Sequence, residues 1–237
     1  MEAGDRVVFI AGATGGLGRA AVAAFAEAGD RLALGGTDRG RLDAVASDLR
    51  LAGGRWVAAP GDLADREGAR AAVAATVDAF GRIDILLHLV GGFEAGTPLV
   101  EAGPETIETM LDQHVRTTVN LVQAVVPGMA DRGWGRVVAA ATTAATTAPA
   151  KSGPYAAAKA AQEVLLRSLA REVSPRGVTV NLVVLRAIDE EHERETAPSP
   201  KNAAWTTPEE IVATILFLCS DGAAAINGAR IPLDGRT

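Results

Sequence analysis

Cysteine is nearly absent from this sequence. The one cysteine, Cys219, follows the apolar run 215–218, so the chain cannot form an internal disulfide. A thiol buried among apolar residues is a poor nucleophile, and we therefore predict that Cys219 is buried and inert. The low cysteine content is typical of a reducing compartment, and we expect the protein to be cytoplasmic.

Positive charge is also in deficit. The chain has 23 lysine and arginine residues against 29 aspartate and glutamate residues, a formal net charge of -6, and its isoelectric point is about 5.2. This balance argues against nucleic acids and anionic membranes as partners. The sequence shows neither the basic start and apolar core of a signal peptide nor an apolar run long enough to cross a bilayer.

No linker divides the 237 residues. Hydrophobic residues make up 48% of the chain and charged residues 22%, as in ordinary globular proteins. We therefore predict a single domain over residues 1–237 with an ample core.

Tyr155 and Lys159 have the spacing of side chains that share one helix face, because four residues bring a helix back to the same side. A phenol in water ionises near pH ~10, and a nearby ammonium would favour the phenolate and lower that pKa. Such a tyrosine can act as a general acid or base. The same spacing also arises by chance on ordinary amphipathic helices, so the neighbouring residues decide between the two interpretations.

Two further features accompany this pair. Thr142 closes an apolar run at 136–141, where its hydroxyl could donate to a substrate oxygen. Far upstream, the turn Gly12-Ala13-Thr14-Gly15-Gly16-Leu17-Gly18 follows an apolar segment and precedes a helical one. Glycines in such a turn let the backbone approach a phosphate, and the helix N-terminus adds positive potential. A tight strand-to-helix connection is the alternative explanation for the glycines.

With these three elements in this order, the chain resembles the short-chain dehydrogenase/reductase family over about residues 6–235. The resemblance implies an NAD(P)-dependent oxidoreductase that transfers hydride between a nicotinamide cofactor and a carbonyl or alcohol substrate. Thr142 would hydrogen-bond the substrate oxygen and Tyr155 would move its proton. Lys159 would hold the nicotinamide ribose and lower the pKa of Tyr155.

The alternation of apolar runs and helical segments predicts the α/β class, a Rossmann-like doubly wound parallel sheet of about seven strands with helices on both faces. We predict strands at 6–11, 32–35, 56–59, 83–90, 135–141, 178–185 and 229–233. Helices are predicted at 17–28, 66–80, 155–173 and 208–218, and within 105–129, where Pro127 should break the helix.

By resemblance, the cofactor contacts the glycine turn, the residues after the second and third strands, and the turn after the fourth. The predicted cofactor-binding residues are Gly12, Thr14, Gly15, Gly16, Leu17, Gly18, Thr37, Asp38, Arg39, Asp62, Leu63, Gly91, Tyr155 and Lys159. Asp62 would accept a hydrogen bond from the adenine amino group, or alternatively would cap the helix that begins near Arg66.

The residues after the second strand bear on the choice between NADP and NAD. Relatives that prefer NAD usually carry an acid at the end of this strand, and here the matching positions are Gly36 and Thr37. Asp38 comes slightly late, and Arg39 and Arg41 could meet a 2′-phosphate. We predict NADP as cofactor without excluding NAD; both arginines could also be solvated residues at a helix start.

Four features depart from the family pattern: His88-Leu89 in place of two asparagines, His114 in place of an asparagine, Leu185-Arg186 in place of Pro-Gly, and a short acidic segment at 189–204. Loss of both asparagines should weaken the contacts that hold the strand. His114 could replace the asparagine in a proton relay, with an ordinary pKa near ~6.5, or simply fill space. These departures keep open a different class, a Rossmann-fold protein that binds a nucleotide or ligand without redox turnover or catalyses a non-redox reaction.

The remaining expectations concern partners and the acidic segment. We predict a mobile or only partly ordered substrate lid at 189–204 and no metal site in its Glu-Glu-His-Glu run. The substrate is a small carbonyl or alcohol compound, and Phe93 and Trp205 favour an apolar or aromatic one. By resemblance, the helices that bear His114 and Tyr155 pack against their copies in a homodimer or homotetramer.

Overall fold

The structure is a computed structural model that describes residues 4–234. Its seven strands form one parallel sheet, as predicted, and their order is β3-β2-β1-β4-β5-β6-β7. They span Val7–Ala11 (β1), Arg31–Gly36 (β2), Trp56–Pro60 (β3), Ile85–His88 (β4), Gly135–Thr142 (β5), Val178–Leu185 (β6) and Arg230–Pro232 (β7). The strand order changes direction between β1 and β4, so a crevice opens at their carboxyl ends.

Helices cover both faces of this sheet. They span Gly16–Glu27 (α1), Arg39–Asp48 (α2), Arg66–Phe80 (α3), Pro104–Leu111 (α4), Thr117–Arg132 (α5), Ala144–Thr147 (α6), Gly153–Val173 (α7), Glu193–Thr196 (α8) and Pro208–Leu218 (α9). One core joins the sheet to α3, α5 and α7, and the other joins it to α1, α2 and α9. Strands β1, β4 and β6 are buried along their whole length, which explains their continuous apolar runs.

The long helical region around His114 differs from the prediction. A π-helical turn, Asp112–Arg116, separates α4 from α5, whereas Pro127 lies inside α5. The predicted break at Pro127 is therefore wrong, and the irregularity falls fifteen to eleven positions earlier in the chain. Wide turns of this kind are frequent at functional sites, because they redirect a side chain without ending the helix. The buried His114 lies within this turn.

Cys219 is buried at the end of α9. Burial raises the pKa of its thiol to about 12, so the thiol stays protonated at neutral pH. The prediction of a buried, inert cysteine is confirmed. None of the helices within residues 4–234 combines the length and apolar character needed to cross a membrane.

Candidate active site

Thr142 and Tyr155 meet at the carboxyl edge of the sheet. Thr142 is the last residue of β5, and Tyr155 lies in the first turn of α7. The Thr142 side chain lies beside the Tyr155 hydroxyl and favours its ionised form. The Thr142 hydroxyl oxygen also accepts a hydrogen bond from the amide of Ala144 at 3.2 Å, which orients it. The two hydroxyl groups are therefore placed to contact one substrate oxygen together.

The electrostatics of Tyr155 differ from the prediction. Burial raises the pKa of its hydroxyl, and the neighbouring Thr142 opposes that rise only in part. The expected lowering of this pKa by Lys159 is wrong in this structure, because the lysine ammonium is hydrogen-bonded elsewhere. Tyr155 consequently holds its proton at neutral pH, as a general acid must before it acts.

Lys159 is turned towards the interior. Its Nζ donates to the carbonyl oxygen of Ala140 and to Oε1 of Gln162, both at 2.7 Å. The side chain is 4% exposed, and burial lowers its pKa to about 8, although the charge of Glu163 opposes the shift. An ammonium has three N–H donors, so one remains for a ligand.

A buried polar network continues inward from Lys159. The amide nitrogen of Gln162 donates to the Thr118 hydroxyl at 2.9 Å, and His88 Nε2 lies 2.8 Å from the same oxygen. Thr118 gives its own proton to the carbonyl of His114, and the amide nitrogen of Gln162 also lies 3.2 Å from His88 Nε2. Burial lowers the pKa of His88 to about 3, which keeps the ring neutral.

His88 therefore connects β4 to α5 and α7 through Thr118 and Gln162. The weakening expected from the loss of both asparagines stays a prediction. Sequence reasoning did not single out Gln162 or Thr118. A signal existed for Gln162, because three positions on a helix place its amide on the same face as Lys159. For Thr118, no local pattern distinguishes this residue from the neighbouring Thr117.

His114 packs beside Tyr155. Its ring lies 5.5 Å from the Tyr155 ring, edge to face, and its Nε2 is 3.0 Å from the carbonyl oxygen of Gly92. That carbonyl can only accept, so Nε2 carries the hydrogen, while buried Nδ1 has no partner among residues 4–234. Burial and the charge of Lys159 lower the pKa of His114 to about 4, well below the value near 6.5 that an unperturbed ring would have.

The glycine turn has the shape of a phosphate cradle. Gly12 adopts a φ of +88°, and a Cβ there would lie 2.9 Å from the backbone of Leu89. A Cβ on Gly18 would collide with the carbonyl oxygen of Gly12. Helix α1 has no side-chain cap and no acid in its first turn, which leaves its N-terminal amides open to an anion.

The other residues of this turn contribute differently. Thr14 and Gly15 border the turn, half-buried and exposed respectively. The side chain of Leu17 belongs to the core, so only its amide can face a ligand. One feature conflicts with a bound phosphate: the carboxyl group of Glu190 lies where a Cβ on Gly16 would be.

The residues after β2 are exposed, as a ribose site requires. Asp38 caps α2 by accepting from the amide of Arg41 at 3.1 Å. Arg39 lies 3.5 Å from Asp43 in an exposed ion pair, and Arg41 is likewise exposed. Thr37 precedes the cap and is exposed. Both guanidinium groups can therefore reach solvent next to this strand end.

The residues after β3 and β4 border the same crevice. Asp62 accepts from the amide of Ala64 at 2.9 Å, whereas Asp65 caps α3 through the amide of Gly68. The interpretation of Asp62 as the helix cap is therefore wrong. Leu63 is buried in the core. After β4, a Cβ on Gly91 would lie 3.4 Å from the His114 ring, so Gly91 adjoins the site.

Apolar side chains line the outer mouth. Phe93 packs edge to face on Tyr155, with ring centroids 5.0 Å apart, yet remains 72% exposed. Leu99 and Val100 are also exposed on the loop that follows. Arg186, which replaces a glycine in the family pattern, is exposed.

The segment 189–204 is more regular than the sequence suggested. Buried Asp189 accepts from the amides of Glu193 and Arg194 at 2.8 and 3.0 Å, and a short helix, α8, follows. Arg194 forms a two-pronged ion pair with Glu210. Mobility of the segment stays a prediction. Within residues 4–234, no group of three or more metal-binding side chains is assembled.

The family described as enoyl-(acyl carrier protein) reductase matches residues 12–235. The short-chain reductase protein NovJ of Streptomyces niveus is 32% identical over 98% of this chain and 93% of its own length. D-threitol dehydrogenase of Mycolicibacterium smegmatis is 31% identical over 97% and 92%. The structure of L-sorbose reductase from Gluconobacter frateurii, solved with NADPH and L-sorbose, superposes with a TM-score of 0.87 at 27% identity, covering 99% of this chain and 98% of that one.

Sequence, fold and the arrangement of Thr142, Tyr155 and Lys159 agree with these similarities. The chain belongs to the short-chain dehydrogenase/reductase family of NAD(P)-dependent oxidoreductases.

Proposed function

We propose that this protein reduces an apolar or aromatic carbonyl compound, or oxidises the matching alcohol, with NADP(H) as the cofactor. The observation that carries the proposal is the placement of Thr142 beside Tyr155 at the carboxyl edge of the sheet, one helical turn from Lys159. Two hydroxyl groups and an ammonium in this order can bind a carbonyl oxygen and supply its proton.

The proposed roles follow from the protonation states. Thr142 orients the substrate oxygen, and Tyr155, whose raised pKa keeps it neutral, donates its proton to that oxygen. When bound, the nicotinamide cofactor supplies the hydride in reduction and accepts it in oxidation. The free N–H of Lys159 binds the nicotinamide ribose, while its other two donors stay on Ala140 and Gln162. His114 holds the Gly92 carbonyl and limits the tilt of the Tyr155 ring.

The cofactor would lie along the crevice. Its pyrophosphate would meet the N-terminal amides of α1, and its adenine would lie near Asp62, whose Oδ2 makes no hydrogen bond within residues 4–234. Exposed Arg39 and Arg41 support NADP over NAD, since guanidinium groups bind phosphate in a bidentate manner. The NADPH complex of the sorbose reductase adds support for this choice.

The mouth supports an apolar substrate. Phe93, Leu99 and Val100 offer apolar surface beside Tyr155 and carry no charge to repel a hydrophobic ring. The proposed assembly is a homodimer or homotetramer in which α5 and α7 pack against their copies. Val164 and Leu165 on α7 are 64% and 40% exposed, which supports a covered face there. The cytoplasmic location stays a prediction.

A cofactor oxidation assay tests the proposal. Purified protein is mixed with NADPH or NADH and a panel of aromatic and aliphatic ketones, aldehydes and quinones, and absorbance loss of the reduced cofactor is followed. We expect turnover with at least one apolar carbonyl compound, faster with NADPH at equal concentration. Binding of cofactor without turnover of any panel member, in either direction, would contradict a redox function and favour a ligand-binding role.

A further inference from the structure

Glu190 lies in front of the glycine turn. A Cβ atom on Gly16 would collide with the carboxyl group of this glutamate. Gly16 is the first residue of α1, whose N-terminus attracts anions. A carboxylate of the chain itself therefore fills space that the cofactor pyrophosphate would need.

The backbone on both sides fixes Glu190 in this position. The preceding residue, Asp189, is 1% exposed, and its carboxylate accepts two amide hydrogen bonds from the start of α8. Its own amide donates to the carbonyl of Thr206 at 2.9 Å. Two positions after Glu190, His192 takes a left-handed φ of +54°, which a residue other than glycine adopts only when its surroundings hold it there.

No other side chain neutralises this carboxylate within residues 4–234: Glu190 forms neither a hydrogen bond nor an ion pair there. An exposed, unpaired side chain can swing away by rotation about its own bonds. If it stays, its negative charge faces the charges of the pyrophosphate. Like charges about 4 Å apart repel strongly enough, even with an effective dielectric near ~20, to weaken binding by tenfold or more.

We propose that Glu190 limits cofactor affinity by occupying the phosphate cradle, so that the dinucleotide must displace it. This inference rests on the proposed function, because it assumes that the glycine turn receives a pyrophosphate. Glu190 is thus a determinant of binding rather than a catalytic residue.

Cofactor titration of four variants tests the proposal. The parent, Glu190→Gln, Glu190→Ala and the control Glu191→Gln are titrated with NADPH by calorimetry, and melting curves without ligand verify that each is folded. Glu191 is the matched control, because it is an exposed neighbour with the same charge. We expect Glu190→Gln and Glu190→Ala to bind at least about tenfold more tightly than the parent, and Glu191→Gln to remain within about twofold.

A second probe, 2′-phospho-ADP-ribose, isolates the phosphate end because it lacks the nicotinamide. Glu190→Gln and Glu190→Ala should bind this probe more tightly than the parent by the same factor as they bind NADPH. Equal NADPH affinity in all four proteins, or weaker binding after removal of Glu190, would overturn the inference and leave the proposed function standing. Absence of NADPH binding in every variant would overturn both.

Discussion

Replacing Gln162 with leucine perturbs the buried partner of Lys159. Gln162 is fully buried, and its Oε1 accepts from the Lys159 ammonium at 2.7 Å. Leucine has a similar volume but offers no acceptor. The ammonium would keep only the Ala140 carbonyl as a protein partner. A hydrogen bond to a charged group contributes about 1.5–3 kcal/mol to stability, and this is the expected loss while Lys159 is charged.

The pKa of Lys159 determines how the loss of stability in Gln162→Leu should change with pH. The pKa of Lys159 is lowered from 10.5 to about 8 in the folded protein. Between these values the unfolded chain binds more protons, so stability rises with pH, by roughly 3 kcal/mol over the whole interval. Below pH 8 the buried lysine is charged, so loss of the Gln162 acceptor lowers stability most in this range. Above pH 8 the folded protein holds a neutral amine, for which the lost acceptor matters less.

The free energy of unfolding should be measured in urea at pH 7 and pH 9.5, at one fixed protein concentration. We expect Gln162→Leu to cost roughly 1–2 kcal/mol more at pH 7 than at pH 9.5. In a Lys159→Met background this pH dependence should vanish, which provides the control. An equal cost at both pH values in the presence of Lys159 would refute the assignment of Gln162 as the partner of a buried charge.

Three shorter predictions concern the relay, the cofactor and the assembly. Because the pKa of His114 is lowered to about 4, stability should fall as pH drops from about 6.5 to 4; buried His88 adds a fall of its own, so a His114→Leu variant whose fall in urea unfolding is no smaller than that of the parent would contradict it. Turnover of the parent should show no ionisation of His114 near pH 6.5, so the pH profiles of the parent and of His114→Asn should have the same shape. Arg41→Ala or Arg39→Ala should weaken NADPH binding about tenfold or more and NADH binding little; equal effects on both in calorimetry would leave the two arginines as surface residues. Leu165→Glu should convert a dimer or tetramer to monomer in light scattering, and a parent already monomeric at micromolar concentration would contradict the proposed interface.

Sequence reasoning succeeded where the pattern is local or follows from chain topology. The bounds of α3 and β6 agree with the prediction, and continuous apolar burial marks β6. Parallel strands place their carboxyl ends at one edge, so Thr142 and the glycine turn could be assigned to one crevice. The four-residue spacing placed Tyr155 and Lys159 on a common helix.

The predictions failed where the contact partner of a side chain is distant in sequence. Lys159 turns inward because Gln162 is held by Thr118, and that contact depends on how α5 packs against α7. No sequence pattern predicts the π turn around His114, because the turn is a cooperative property of the helix. Glu190 reaches Gly16 only through the fold of the segment after β6, so composition alone presented it as a solvated acid.

The central claim is that Tyr155 supplies the proton for carbonyl reduction. Turnover and the NADPH dissociation constant should be measured for the parent and for Tyr155→Phe, with the best substrate of the carbonyl panel. Phenylalanine keeps the ring contacts with Phe93 and His114 and removes only the acid. We expect turnover to fall by about 10²–10⁴-fold while the dissociation constant changes by less than about twofold. Turnover within a few-fold of the parent would contradict the account.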